Sequence, residues 1–267
     1  MKNILILLLF ALTIWSCNNA QKPAYELVWS DEFDNAGLPD SAKWSYDTIG
    51  NAWGWGNNEL QYYTANRIEN AEVSDGTLKI RALKESWNDF QYTSARIITK
   101  EKGDWLYGRY EIRAKLPDGR GLWPAIWMLS TDWEYGGWPR SGEIDIMENV
   151  GYDPDTIVAS VHTGSYYHSI GTQRNNKISI PDNREQFHVY AIEWDTVSVT
   201  AFVDETAYFT FNKESDDPNV WPFNKRFHLL LNVAVGGNWG GAQGIAEGIF
   251  PATMEIDYVR VYQKKTE

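Results

Sequence analysis

Three carboxylates stand close together in SGEIDIMENV, residues 141–150: Glu143, Asp145 and Glu148. Glu143 and Asp145 are two apart, so on a β-strand they share a face. Ile144 and Ile146 alternate with them and belong in a core, which leaves the two acids on the accessible side. Strict alternation would then drive Glu148 into the core, where an unpaired carboxylate is costly or changes its protonation state. One extra residue near Ile146–Met147, a β-bulge, shifts the alternation and returns Glu148 to the face of Glu143. Three acids in a row repel one another, and that raises at least one pKa. Such a set suits cleavage of a glycosidic bond. One carboxylate attacks or stabilises, and a second, kept protonated, gives its proton to the leaving oxygen. Carboxyl groups about 5–5.5 Å apart give retention and wider pairs give inversion; close placement on one strand favours retention. A solvated acidic strand edge has the same spacing, so spacing alone leaves both readings open.

The elements that must position these acids have period two. LKIRAL (Leu78–Leu83), RYEIRAKL (Arg109–Leu116), FHVYAIEW (Phe187–Trp194), VSVTAFVD (Val197–Asp204) and HLLLNVAV (His228–Val235) are rich in β-branched or aromatic residues. Clusters of Gly, Asn, Asp or Pro separate many of them, and VSDGTL and LPDGRG are turn signals. Helical periodicity is hard to find. The pattern predicts an all-β chain, a two-sheet antiparallel sandwich, with a closed barrel as the alternative. No repeat or second-domain boundary interrupts it, so one domain is expected over 26–264.

The first residues differ from the rest. Lys2 precedes an apolar run from Ile4 to Trp15, too short for a stable membrane span and suited to a secretory signal. The single cysteine, Cys17, ends that run after the small residue Ser16. IWSC is similar to a bacterial lipoprotein signal, although Trp15 is unusual in such a box. The reading is a signal over 1–17, lipidation at Cys17 or ordinary cleavage nearby, and a polar tether over 18–25. The mature chain then has no disulfide and depends on its core. The net charge of −12, from 24 basic and 36 acidic residues, argues against nucleic acid or anionic lipid as partners. Fourteen Trp, 15 Tyr and 10 Phe exceed what a core needs and suggest stacking surfaces for a neutral polysaccharide.

EIDIME with its extra residue resembles glycoside hydrolase family 16, in its laminarinase-like branch. NNELQYYT (Asn57–Thr64), SARIITK (Ser94–Lys100), AKLPDGRGLWPAIWML (Ala114–Leu129), NVAVGGNWGG (Asn232–Gly241) and MEIDYVRVYQ (Met254–Gln263) agree with it. The resemblance covers about Leu27 to Gln263. It implies a jelly-roll sandwich with an open, concave cleft, Glu143 as nucleophile, Glu148 as general acid/base, and Asp145 tuning both. By position it also implies sugar-stacking roles for Trp123, Trp127 and Trp138, with core packing as the alternative for each. Asn58 and Arg96 match polar groups on the non-reducing side of the cleft; Arg96 could equally be a surface ion pair. Trp239 matches a rim residue in a Gly-rich loop. His162 matches a histidine on the leaving-group side, or else is a satisfied core histidine. The other three His show no metal spacing, so no catalytic metal or other cofactor is expected. A structural calcium is implied on the convex face at Glu32, Gly76 and Asp257, against plain sandwich packing without metal.

The expectation is therefore an exported or lipid-anchored endo-β-glucanase, monomeric, cleaving β-1,3-glucan (laminarin) or mixed-linkage β-1,3-1,4-glucan with retention. A non-catalytic glycan-binding protein on the same sandwich competes with it, since fold alone does not decide function. The intact acid set separates the two, because a binder has no need of it. Family enzymes for agar, carrageenan or xyloglucan share the acids, and loops decide between linkages.

Overall fold

The period-2 segments all become strands. In the computed structural model, which describes residues 25–265, eighteen strands form two sheets. The apolar run and Cys17 lie outside the described residues. Tyr25, assigned above to the tether, already opens the first strand opposite Lys264.

The outer sheet runs β16 (Thr206–Asn212), β15 (Ser198–Val203), β14 (His188–Trp194), β9 (Gly108–Lys115), β18 (Ala252–Lys264), β5 (Thr77–Trp87), β6 (Phe90–Ser94) and β3 (Gln61–Tyr63). β1 (Tyr25–Asp31) lies beside β18, and β4 (Ala71–Ser74) beside β5. The second sheet runs β13 (Arg174–Ser179), β12 (Asp153–His162), β11 (Glu143–Val150), β10 (Leu122–Ser130), β17 (Phe227–Val235), β7 (Arg96–Ile98) and β2 (Ser45–Tyr46), with β8 (Asp104–Trp105) on β17. Every pair is antiparallel except β3 with β6. The described residues hold only two short 3-10 segments, Ile49–Gly56 and His168–Ile170.

The two turn signals do different work. Asp75–Gly76 closes the β4–β5 hairpin with both residues at positive φ, which a glycine takes without strain. LPDGRG is no hairpin: it carries the chain from β9 in the outer sheet to β10 in the second sheet. Between the sheets lies one apolar cluster, with Tyr110, Ile112, Val259 and Val261 on one side and Ile126, Met128, Ile144 and Leu229 on the other.

The predicted irregularity in β11 is present. Asp145 pairs with Ser160 and Glu148 with Val158, so β11 carries one residue more than its neighbour over that span. Against β10 the register jumps from Ile126–Met147 to Trp127–Asp145, which leaves Ile146 unpaired on both sides. Ile144, Ile146 and Met147 are all buried in the core. The freed Ile146 carbonyl accepts a hydrogen bond of 3.3 Å from the Tyr208 hydroxyl, which reaches across from β16 in the opposite sheet. Tyr208 thus pays for the bulge that turns Glu148 outward. Tyr208→Phe leaves that buried carbonyl unpaired and should lower unfolding free energy by about 1–2 kcal/mol in urea titrations. An unfolding curve identical to the wild type would contradict this role.

Candidate active site

β10 is the floor of the site. It alternates without a bulge, so Trp123, Ala125, Trp127 and Leu129 face a cleft while Leu122, Ile126 and Met128 face the core. β11 lies beside it, with Glu148 opposite Ala125 and Glu143 opposite Leu129. β12 completes the row: His162 is the cross-strand partner of Glu143, and Ser160 that of Asp145. Glu143, Asp145 and Glu148 all line the cleft.

Each acid has its own donors. Trp138 Nε1 donates to Glu143 Oε2 at 2.9 Å, and Trp123 Nε1 donates to Glu148 Oε1 at 3.0 Å. Ser160 Oγ donates to Asp145 Oδ2 at 2.5 Å and lies 3.5 Å from Glu148 Oε2. His162 Nε2 is 3.3 Å from Asp145 Oδ2 and 3.7 Å from Glu143 Oε1. Asp145 is buried beneath these neighbours.

Burial, then the charge of Asp145, pushes Glu143 up to about 8. The same two causes, with the charge of Glu143 added, raise Glu148 well above the usual carboxylate range. Burial alone would lower the His162 imidazolium. The hydrogen bond to Asp145 and the charges of Glu143, Asp145 and Glu148 outweigh it and hold His162 up at about 9. Glu148 therefore keeps its proton longest, and Glu143, with His162 and the Trp138 N–H beside it, gives its proton up first. One strand thus carries an acid and a latent nucleophile. Glu143, Asp145 and His162 also have ligand atoms within 4.8 Å of one another. A cation there would have to displace the His162 proton.

The cleft continues to both sides of the acids. One half, about 440 Å³, is lined by Trp53, Trp55, Arg96 and Trp127. Arg96 is buried, with its guanidinium 4.4 Å from the Trp55 ring centre and 4.3 Å from that of Trp127. Its nearest carboxylate, Asp47, is 3.7 Å away. Arg96 is thus a layer between two indoles and not a surface ion pair. Trp127 Nε1 donates to Asn232 Oδ1 at 2.8 Å, which fixes that indole. The other half, about 570 Å³, is lined by Thr156, Ser160, His162, Asn175, Lys177 and Trp239. Trp239 packs edge-on against Trp123, with ring centres 5.3 Å apart.

One expected residue stands elsewhere. Asn58 is exposed, lines neither half and donates to Asn238 Oδ1 at 2.8 Å. Its neighbour Asn57 lines both halves, and Glu59 Oε1, itself buried, accepts from its amide at 3.2 Å. The backbone is irregular here: Trp55, Gly56 and Asn58 all have positive φ. The three positions implied for a calcium ion are Glu32, Gly76 and Asp257. The register does bring Glu32, Gly76 and Asp257 together, because β1 ends opposite Val259 and β5 begins near Ile256. Both carboxylates are already matched, however. Glu32 is bidentate to Arg260 at 3.0 and 2.8 Å, and Asp257 lies 2.5 Å from Arg113. These pairs engage side-chain oxygens, whereas a calcium ion there would take backbone oxygens of Glu32 and Gly76 with the side chain of Asp257.

Residues 57–260 match the family model for glycosyl hydrolases family 16. The chain belongs to this family. Over 248 residues it is 54% identical to a beta-glucanase of Rhodothermus marinus, covering 90% of this chain and 86% of that protein. It is 40% identical over 256 residues to a glucan endo-1,3-beta-glucosidase of Cryptopygus antarcticus, covering 89% and 92%. The crystal structure of the Rhodothermus marinus laminarinase superposes with a TM-score of 0.89 over 91% of this chain and 99% of that one.

The raised carboxylates of this family 16 site make its stability depend on pH. Folded, Glu143 and Glu148 bind protons more tightly than an unfolded glutamate with its ordinary 4.5. The folded chain then holds extra protons, so stability is fullest below about pH 4.5 and falls as pH rises toward 8. His162, raised from 6.5 to about 9, adds a loss of the same sign between those values. Glu148→Gln should therefore melt higher than the wild type at pH 8, and the two should converge near pH 4.5. A variant that melts lower at pH 8 would show that burial has not raised Glu148.

Proposed function

We propose that the chain is an endo-β-glucanase that cleaves internal bonds of β-1,3-glucan or mixed-linkage β-1,3-1,4-glucan with retention. The observation that carries this is the placement of Glu143 and Glu148 on one cleft face, with the bulge between them and different donors on each. Protonated Glu148 gives its proton to the glycosidic oxygen while ionised Glu143 attacks the anomeric carbon, forming a glycosyl-enzyme and releasing the leaving sugar. Water, deprotonated by Glu148, then attacks the same carbon, frees the second sugar and restores both carboxyl groups. Asp145 and His162 hold Glu143 in line, and the imidazolium charge of His162 favours its ionised form. The Trp127, Arg96 and Trp55 layer offers flat faces on the non-reducing side, and Trp239 with the polar β12 and β13 side chains takes the leaving side.

The glucanase names of the similar proteins support glucan as the polymer, and a cleft open along its length supports internal cleavage. Export, with a lipid on Cys17, remains our reading of the first residues alone. It predicts that the full-length chain pellets with membranes of a lipoprotein-processing bacterium and that Cys17→Ser moves it to the soluble fraction. An unchanged distribution would contradict it.

Glu143→Gln should reduce sugar release from laminarin and from barley glucan by at least about a thousandfold, while glucan retardation in affinity gels stays. Turnover within tenfold of the wild type would remove Glu143 from the nucleophile's role.

A further inference from the structure

His168 has no part in the account so far, yet it lies where the two halves of the cleft meet. Among the described residues, only Asn57, Trp123, Glu143, Glu148 and His168 line both halves. Two of these are the acids, and Trp123 donates to one of them. His168 comes from the loop between β12 and β13, with its ring centre 5.2 Å from that of Trp138 and 5.4 Å, edge-on, from that of His162.

The loop that carries it is built to hold a position. Thr163 N donates to Tyr166 O at 2.6 Å, and Thr172 Oγ1 donates to Ser165 O at 3.0 Å, so the segment closes on itself. Ser165 N donates to Asn219 O at 2.8 Å. A Cβ on Gly164 would lie 2.5 Å from Asn219 Oδ1, so only glycine allows that approach. Tyr166 donates to Glu214 and carries the Arg174 guanidinium 4.1 Å from its ring centre. His168 is the tip of a fastened loop and reaches into the cleft from it.

The surroundings define what the ring can bind. Glu143, Asp145 and Glu148 face this space from β11, and the imidazolium of His162 faces it from β12. Burial, then the positive charge of His162, lowers His168 below its ordinary value, so it is neutral and offers one donor and one acceptor. A neutral imidazole beside a row of acids suits a hydroxyl-bearing ligand. The half of the cleft beyond it presents hydroxyl and amide side chains, Thr156, Ser160, Gln173 and Asn175.

We propose that His168 is a substrate-contacting residue that hydrogen-bonds a hydroxyl of the sugar immediately on the leaving side of the scissile bond. This rests on the glucanase reading above. It makes a specific demand: the residue matters when the leaving group is a sugar and not when it is an aryl alcohol.

The test compares two substrates with the same β-1,3-linked glucose units on the non-reducing side, one a gluco-oligosaccharide and one a methylumbelliferyl glycoside. His168→Ala should lower kcat/KM on the oligosaccharide about tenfold, the size of one lost neutral hydrogen bond. On the aryl glycoside it should stay within about twofold of the wild type. His168→Gln, which keeps a donor and an acceptor, should recover part of the loss. Equal losses on both substrates would mean that His168 acts only by propping Trp138 against Glu143, and no loss on either would mean that it touches nothing; either overturns the proposal. A wild type inactive on both would overturn the glucanase reading with it, and is a distinct result from an indifferent variant.

Discussion

The site depends on a mismatch between the period of a strand and the needs of two carboxylates. Side chains on a strand alternate, so an odd spacing puts two residues on opposite faces. Glu143 and Glu148 are five apart and must share a face, and one unpaired residue, Ile146, reconciles the two. The core drives the same solution, because Ile144, Ile146 and Met147 are all buried only if the strand gains that residue. Hydrophobic burial on one side and charge exposure on the other thus select a single register. The carbonyl that the bulge frees is taken up by Tyr208 from the far sheet, so the sandwich as a whole closes around the irregularity.

The second constraint is electrostatic. Three carboxylates and a histidine occupy one short stretch of sheet, and among the described residues no arginine or lysine forms an ion pair with these acids. Arg96, whose charge also acts on Glu143, is stacked between indoles. Relief comes instead from proton retention on Glu148, from the imidazolium of His162 and from single N–H donors on two tryptophans. This costs stability as pH rises, and it lets Glu143 give up its proton before Glu148 does. Indoles that line the cleft also hold the acids: Trp123 donates to Glu148 and Trp138 to Glu143.

Much of this was legible in the sequence wherever period two applies. The burial of Ile144 and Ile146, the bulge before Glu148, and the common face of Trp123 and Trp127 all follow from alternation alone. The strands Leu78–Leu83 and His228–Val235 were visible for the same reason. Legibility ends where the backbone leaves that period. With left-handed residues at Trp55, Gly56 and Asn58, the cleft place implied for Asn58 falls to its neighbour Asn57. Arg96 and Trp55 are far apart in sequence, and nothing local announces that one stacks on the other. His168 is not legible in the sequence because its loop is fastened by Asn219 and Glu214, partners that no spacing rule connects to it. The pairing of Asp257 with Arg113 escaped notice for the same reason: a charge match between neighbouring strands needs their register.

The stereochemistry of the first product tests the central claim most directly. If the bulge places Glu143 and Glu148 on one face at the separation of a nucleophile and its acid/base, hydrolysis of a β-glucan proceeds by two displacements. Proton NMR during the first minutes of laminarin hydrolysis should then show the β-anomer of the new reducing end, with the α-anomer appearing only as it mutarotates. An α-anomer formed first would mean inversion by a single displacement, with the two carboxylates too far apart for the arrangement described.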